Sequence, residues 1–297
     1  MNQNPEFNKS NPRRYVKGIA AALAALAAVS VTVFPAQAEI KLIFGTYTAD
    51  KPTDTVRKLK PVLRSLEKIL SVEFGEPVSI STQIAKDYHK GISQLVSGKV
   101  DFARFGPASY VLAKEKSVDI EILAMEAVKG KKTFHGVICV QDDSDIRTLP
   151  DLIGKSFAFG NELSTIGRYL AQSELLEAGI KGDQLKRYDF LGRHDRVGTS
   201  VGNKEFDAGA LKLSTFKKLK KKNVAIRELY RFDNVTKPWI ARAGLDARIV
   251  KALRTALLEL KDPKALKAIK KSGFLGGSDA DYDVIRKAMK KSEQFSG

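Results

Sequence analysis

The chain has 297 residues, 43% of them hydrophobic, with 51 Lys and Arg against 34 Asp and Glu and a single cysteine. Its apolar content suffices for a sizeable core in one or two domains, and one cysteine excludes an intrachain disulfide and a cysteine-based metal cluster. The net charge of +17 admits nucleic acid, a membrane surface or anionic ligands as partners.

Residues 1–38 read as a secretory signal peptide. Lys9, Arg13, Arg14 and Lys17 precede an apolar run from Ile19 to Phe34. That run is about 16 residues long, short of the roughly 20 that a bilayer span needs. Ala36-Gln37-Ala38 then supplies small residues at cleavage-site spacing. An uncleaved anchor is the alternative. Arg13-Arg14 suggests twin-arginine export, but the residues after it fit that pattern poorly, and no cysteine follows that would carry a lipid. Cleavage near Glu39 removes four basic residues and Glu6, so the charge of +17 becomes +14. Export argues against nucleic acid as a partner. The densest basic cluster, Lys217-Lys218-Leu219-Lys220-Lys221-Lys222, reads as the solvated face of a helix, with polyanion or cell-envelope docking as the alternative.

Beyond the leader, Glu39–Gly45 alternates as a strand and Thr46–Pro52 is a polar loop. Thr53–Leu70 is a helix with apolar Val56, Leu59, Leu63, Leu66 and Leu70 near the 3.6 period. A strand from Pro77 and a helix at Asp87–Ser97, stopped by Gly98, come next. Then follow a strand at Val100–Phe105, a helix at Ala108–Lys116 opened by Gly106-Pro107, and a strand at Ile120–Ala127. Phe134–Val140 is an apolar strand in which Cys139 reads as a buried, inert thiol.

The pattern then restarts. Helices are expected at Thr148–Ile153, Thr165–Glu177, His194–Gly202 and Ser214–Lys222, and strands at Lys155–Phe159, Arg187–Phe190, Phe206–Leu211 and Ala225–Tyr230. Asp246–Gly297 is read as helical, divided at Pro263 and Gly273. Alternating strands and helices predict an α/β fold with parallel pairing. A weak internal echo, Gln94–Ala103 against Ser200–Gly209, predicts two lobes of similar build. Ligands of such sheets bind beyond the carboxyl ends of strands, and a cleft between two lobes is a preferred ligand site.

One stretch organises the rest. Phe157–Phe159 ends a buried strand, Gly160 turns, and Ser164-Thr165 opens a helix. A helix start carries unpaired N–H groups and partial positive charge, so added hydroxyls make a small anion site. Plain N-capping by Ser164 and Thr165 is the alternative.

The chain resembles the phosphonate-binding proteins of ABC importers, the PhnD-like group of type 2 periplasmic binding proteins. The resemblance rests on Asp87-Tyr88, Gly98–Tyr110, Leu152–Gly160, Ser164–Gly167, Gly179-Ile180, Gly192–Asp195 and Asp207–Ala210, in the family's order and near its spacing. It implies a two-lobe α/β fold with a ligand cleft between lobes, 39–135 plus 232–297 forming lobe one and 136–231 lobe two. It also implies a small anionic ligand and delivery to a membrane permease, or to a membrane sensor in a signalling variant. Carried over residue by residue, Tyr88, Ser164, Thr165 and His194 match oxyanion-contacting residues. Phe134 matches a second tyrosine and keeps only its ring, and Ile166 replaces a third cradle hydroxyl. Two acidic residues that hold the ligand amine in one branch fall near Ser214 and Lys237, so an aminoalkylphosphonate is not expected to bind. No cofactor, metal or catalytic residue is implied. His89, His135 and His194 form no HExxH, and neither GxSxG nor a P-loop is present, so an enzyme is not expected.

Overall fold

The computed structural model describes Met1, residues 39–49 and residues 52–296, and the expected signal peptide lies outside them apart from Met1. In chain order a first sheet takes β1 (Ile40–Tyr47), β2 (Val78–Ala85), β3 (Phe102–Arg104) and β4 (Glu121–Ala127). The chain leaves it for a second sheet of β5 (Thr133–Gln141), β6 (Ser156–Phe159), β7 (Arg187–Phe190), β8 (Ala208–Lys212) and β9 (Ile226–Val235), and returns as β10 (Pro238–Ala241) and β11 (Gly273–Leu275). The orders are β11-β4-β10-β3-β1-β2 and β7-β6-β8-β5-β9. The helices are α1 (Pro52–Phe74), α2 (Tyr88–Val96), α3 (Pro107–Lys116), α4 (Ala171–Glu177), α5 (His194–Gly202), α6 (Leu213–Lys220), α7 (Ala247–Leu258), α8 (Pro263–Ile269) and α9 (Asp283–Ser292). None in the described part is long and apolar enough to cross a membrane.

Periodicity explains the layers. Leu59, Leu63, Leu66 and Leu70 of α1 are buried against Leu42, Phe44 and Ile80 of the first sheet, with Leu253 and Leu257 of α7 beside them. Val56, one of the expected apolar positions, is exposed at the end of that stripe. On the second sheet, α5 and α6 cover Val137, Cys139, Ala158 and Leu211. Cys139 is fully buried, and burial pushes its thiol up to about 12, so it stays protonated. Two lysines of the basic run pair with carboxylates, Lys218 with Asp54 of α1 at 3.0 Å and Lys220 with Asp142 at 3.0 Å.

The internal echo has a physical basis. Asp101, just before β3, accepts the backbone N–H of Ile43 in neighbouring β1 at 2.8 Å. Asp207, just before β8, accepts that of Ser156 in neighbouring β6 at 2.7 Å. In both sheets a carboxylate at a strand start satisfies an N–H of the parallel strand beside it.

The expected parallel pairing holds where a helix joins successive strands and fails at the passage between sheets. β5 runs antiparallel to β8 and β9, and β10 antiparallel to β3 and β4. β9 continues five residues past the expected Tyr230 and reaches β10 through Thr236-Lys237 alone, so the chain re-enters the first sheet reversed. The expected helix at Thr148–Ile153 shrinks to a 3₁₀ turn at Pro150–Leu152, because Pro150 opens it and Gly154 at φ +72° ends it within one turn. The C-terminal part also contains β11, whose buried Phe274 pairs with the edge of β4.

The C-terminal helix joins layers that the sequence reading kept apart. Ile285 and Ala288 of α9 lie in one apolar cluster with Val111 of α3, Ile166 and Leu175. Phe295 is fully buried, with its ring 5.5 Å from that of Phe159 and 5.6 Å from that of Tyr188. The last residues of 232–297 thus rest on the second sheet.

Candidate functional site

Four of the helical starts that follow strand ends bear on the site, and the expected binding residues sit at three of them. β2 leads to α2, whose first residue is Tyr88 and whose N-cap is Asp87, accepting from Lys90 N at 2.7 Å. β6 leads to the helical segment at Thr165, capped by Ser164, whose Oγ accepts from Gly167 N at 3.0 Å. β7 leads to α5, which opens at His194. The fourth is α3, after β3, whose N-cap Gly106 brings no side chain.

Hydroxyls from other elements cap α3 instead. Tyr47, the last residue of β1, accepts from Gly106 N at 2.7 Å and donates to Ser109 Oγ at 2.7 Å. Thr165 Oγ1 accepts from Ala108 N at 2.9 Å, across from the second sheet. Tyr47 and Thr165 meet over Gly106, where an added Cβ would lie 3.0 Å from the Tyr47 hydroxyl and 3.5 Å from Thr165 Oγ1. Tyr88 stacks on Tyr47 with centroids 3.9 Å apart. The His194 N–H donates to the carbonyl of Ala49 at 3.3 Å, two residues beyond Tyr47.

Tyr88, Ser164, Thr165 and His194 are all at least nine-tenths buried. Burial pushes the Tyr47 phenol up to about 12, against the lowering effects of its Ser109 and Gly106 hydrogen bonds, so it stays a neutral donor and acceptor. Ser164 therefore does act as an N-cap, while Thr165, one residue on, faces the first sheet's helix. A hydroxyl that accepts an N–H keeps its own hydrogen for another acceptor, so capping and anion binding are compatible here.

Thr165 reaches that position through a glycine pair. The segment Thr165–Leu170 is π-helical, and Gly160 N donates to Gly167 O at 2.7 Å. A Cβ on Gly167 would lie 2.8 Å from the Cα of Gly160. Gly167→Ala is expected to cost about 1–3 kcal/mol, measured as a lowered midpoint in urea unfolding. An unchanged midpoint would show that the turn yields without strain.

Phe134 makes none of these hydrogen bonds; it lies on β5 where the chain enters the second sheet, packed against the apolar cluster that also holds Tyr47, Tyr88 and Ile166. It is half-buried, with Lys271 Nζ 5.4 Å above its ring. Lys271 also pairs with Glu126 at 3.1 Å. Glu126 is fully buried, binds Arg104 and accepts from Trp239 Nε1 at 3.5 Å. Desolvation alone would raise its carboxyl. The charges of Arg104, Lys271 and Lys237 and the Arg104 hydrogen bond outweigh that and hold it down at about 2. Three cations around one carboxylate leave this end of the passage between sheets positive. Lys237 itself gives its carbonyl to Glu126 N at 3.1 Å.

The sequence reading missed Tyr47, Gly106 and Ser109 as parts of the site. The strand expected over Glu39–Gly45 leaves Tyr47 in the following loop, whereas β1 runs to Tyr47, and the one usable signal is an aromatic closing an alternating strand.

The profile of the family described as "ABC transporter, phosphonate, periplasmic substrate-binding protein" matches residues 44–282. A probable ABC transporter phosphite-binding protein, PhnD1, of Prochlorococcus marinus is 28% identical over 59% of this chain, and the match spans 64% of that protein's length. The phosphate-import protein PhnD of Mycolicibacterium smegmatis is 23% identical over 80% of this chain and 81% of its own. Among solved structures, PhnD1 of P. marinus in complex with methylphosphonate aligns at a TM-score of 0.73 and 22% identity, covering 86% of this chain and 98% of that one.

Proposed function

Since the chain belongs to the family of periplasmic substrate-binding proteins of phosphonate ABC transporters, we propose that it captures a small phosphorus oxyanion between two lobes and presents it to a membrane permease. The lobes are residues 39–135 with 232–297, and residues 136–231, except that 133–135 and 232–235 pair within the second sheet and Phe295 packs on it, and the protein works in the periplasm once residues 1–38 are cleaved. One observation supports this reading above the others: helix starts from both sheets face each other across Gly106 and Thr165, with the hydroxyls of Tyr47, Ser109 and Thr165 buried between them. Helix N-termini and hydroxyl hydrogens converging on one point stabilise a tetrahedral anion without a buried countercharge.

In this reading Tyr88, Ser164, Thr165 and His194 supply donors, and Phe134 supplies an apolar wall for the substituent on phosphorus. α3 of one lobe already meets the Ser164 turn of the other through Ala108 and Thr165, and a bound anion adds its own hydrogen bonds to that contact. A ligand that binds only the closed form shifts the population toward it. Lys237, Lys271 and Arg104 disfavour a ligand carrying an ammonium group.

The test is a thermal-shift and calorimetric comparison of phosphate, phosphite, methylphosphonate and aminoethylphosphonate. At a hundredfold excess over its dissociation constant, a true ligand adds about 2.7 kcal/mol, a rise of roughly 5 °C or more in Tm. At least one of the first three is expected to give it and aminoethylphosphonate is not. No response to any of them would overturn the reading.

A further inference from the structure

On the face of the second sheet that Ile166 packs against lies a buried amide that the site as described does not use. β5 and β9 are antiparallel, with Gly136 opposite Phe232 and Phe134 opposite Asn234. Residues directly opposite each other, and alternate residues along a strand, share a face. Phe134, Gly136, Phe232 and Asn234 therefore lie on one face of the second sheet. Ile166 packs on that same face: a Cβ on Gly136 would lie 2.9 Å from Ile166 Cγ2 and 2.3 Å from the Phe232 ring. Asn234 is thus the next pair along from the Ile166 contact, within the reach of one side chain.

Asn234 is only 4% exposed, and neither its Nδ2 nor its Oδ1 has a hydrogen-bond partner among the described residues. Two residues on, the fully buried Thr236 Oγ1 is also without one. Buried polar atoms are paired in the great majority of cases, and an orphaned carboxamide costs stability that an apolar side chain of the same size would not. Ile166 and Phe134, on the same face, offer no polar hydrogen. Asn234 offers what they lack, with two donors on Nδ2 and an acceptor on Oδ1.

We infer that the Asn234 carboxamide is a specificity-determining contact of the oxyanion site, donating from Nδ2 to an ionised oxygen and accepting at Oδ1 from a protonated one. This rests on the oxyanion-binding function proposed above and narrows it. The ligand class is an oxyanion that retains an O–H near neutral pH, such as hydrogenphosphate or a hydrogenphosphonate. A sulfonate, whose oxygens only accept, leaves Oδ1 facing a lone pair and is rejected.

The experiment is calorimetry of the wild-type protein, Asn234→Leu and the isosteric Asn234→Asp with inorganic phosphate, methylphosphonate and methanesulfonate, alongside unfolding without ligand. The wild type is expected to prefer its phosphorus ligand over methanesulfonate by at least about 100-fold. Asn234→Leu should weaken phosphorus-oxyanion binding by about tenfold or more and narrow that preference, while its ligand-free Tm stays level or rises. A residue of purely structural use would instead lose Tm. Asn234→Asp, which places a carboxylate against the anion, should lose binding at least as far and decides the matter if the leucine variant does not fold. Variants that bind within about threefold of wild type, or a wild type that takes methanesulfonate as readily, overturn the assignment and leave the oxyanion function standing. A wild type that binds none of the phosphorus anions overturns both.

Discussion

Thr165→Val is expected to weaken oxyanion binding by about 100-fold, enough to erase the thermal shift at ligand concentrations that saturate the wild type. Two effects act together. The hydroxyl that would donate to the anion is gone, and a hydrogen bond to a charged acceptor contributes about 1.5–3 kcal/mol. The N–H of Ala108, which Thr165 Oγ1 now accepts at 2.9 Å, is also left without that partner in a buried place. The second effect costs the unliganded protein about 1–3 kcal/mol, so its Tm should fall as well. Thr165→Ser keeps the hydroxyl and loses only a methyl, and should recover most of the binding. Calorimetry on the pair separates the loss of the oxygen from the change of shape. A valine variant binding within about threefold of wild type would show that the anion does not sit at this helix start.

The second large effect concerns stability. Glu126→Gln leaves Arg104 and Lys271 facing a buried neutral group where a carboxylate stood. Breaking a buried ion pair from one side costs about 3–5 kcal/mol, read as a lowered urea midpoint at pH 7. The same group sets an acid limb. Its carboxyl is held at about 2 in the folded chain against 4.5 for the free side chain. A depressed acid stabilises the fold above the unfolded value and loses that contribution as pH falls toward the folded one. About 3 kcal/mol should therefore disappear between pH 4.5 and pH 2 in the wild type, and that component should be missing in Glu126→Gln. An unchanged acid limb would mean that other carboxylates carry it. The cluster joins β3, β4 and the residues before β11 next to the passage between sheets.

Much of the architecture was legible because it depends on local pattern. Leu59, Leu63, Leu66 and Leu70 recur at helical spacing, and a stripe of that kind has to face a core wherever the helix lies. Asp101 and Asp207 stand at equivalent points of two similar segments, and each satisfies the same backbone demand in its own sheet. The helix start at Ser164 was legible for a similar reason, since its capping bond to Gly167 N closes within three residues. The π-helical first turn was not, because it depends on Gly160 and Gly167 coming into contact from either side of the turn. β10 and β11 were missed because four-residue and three-residue strands show almost no periodicity, and their partners on β3 and β4 are far away in sequence.

The amino-acid sequence by itself determined the order of the longer strands and helices, the family resemblance, the excess of positive charge, and which residues open the helices at Tyr88, Ser164 and His194. These follow from spacing, composition and groups a few residues apart. Tertiary structure alone decided which of those helix starts confront one another. Tyr47 and Thr165 share the amides of α3, Lys271 reaches Phe134, α9 lies against the second sheet, and Asn234 is buried without a hydrogen-bond partner among the described residues. Each of these depends on the chain leaving one sheet near Thr133 and re-entering it at Pro238, a long-range closure that no local interaction specifies.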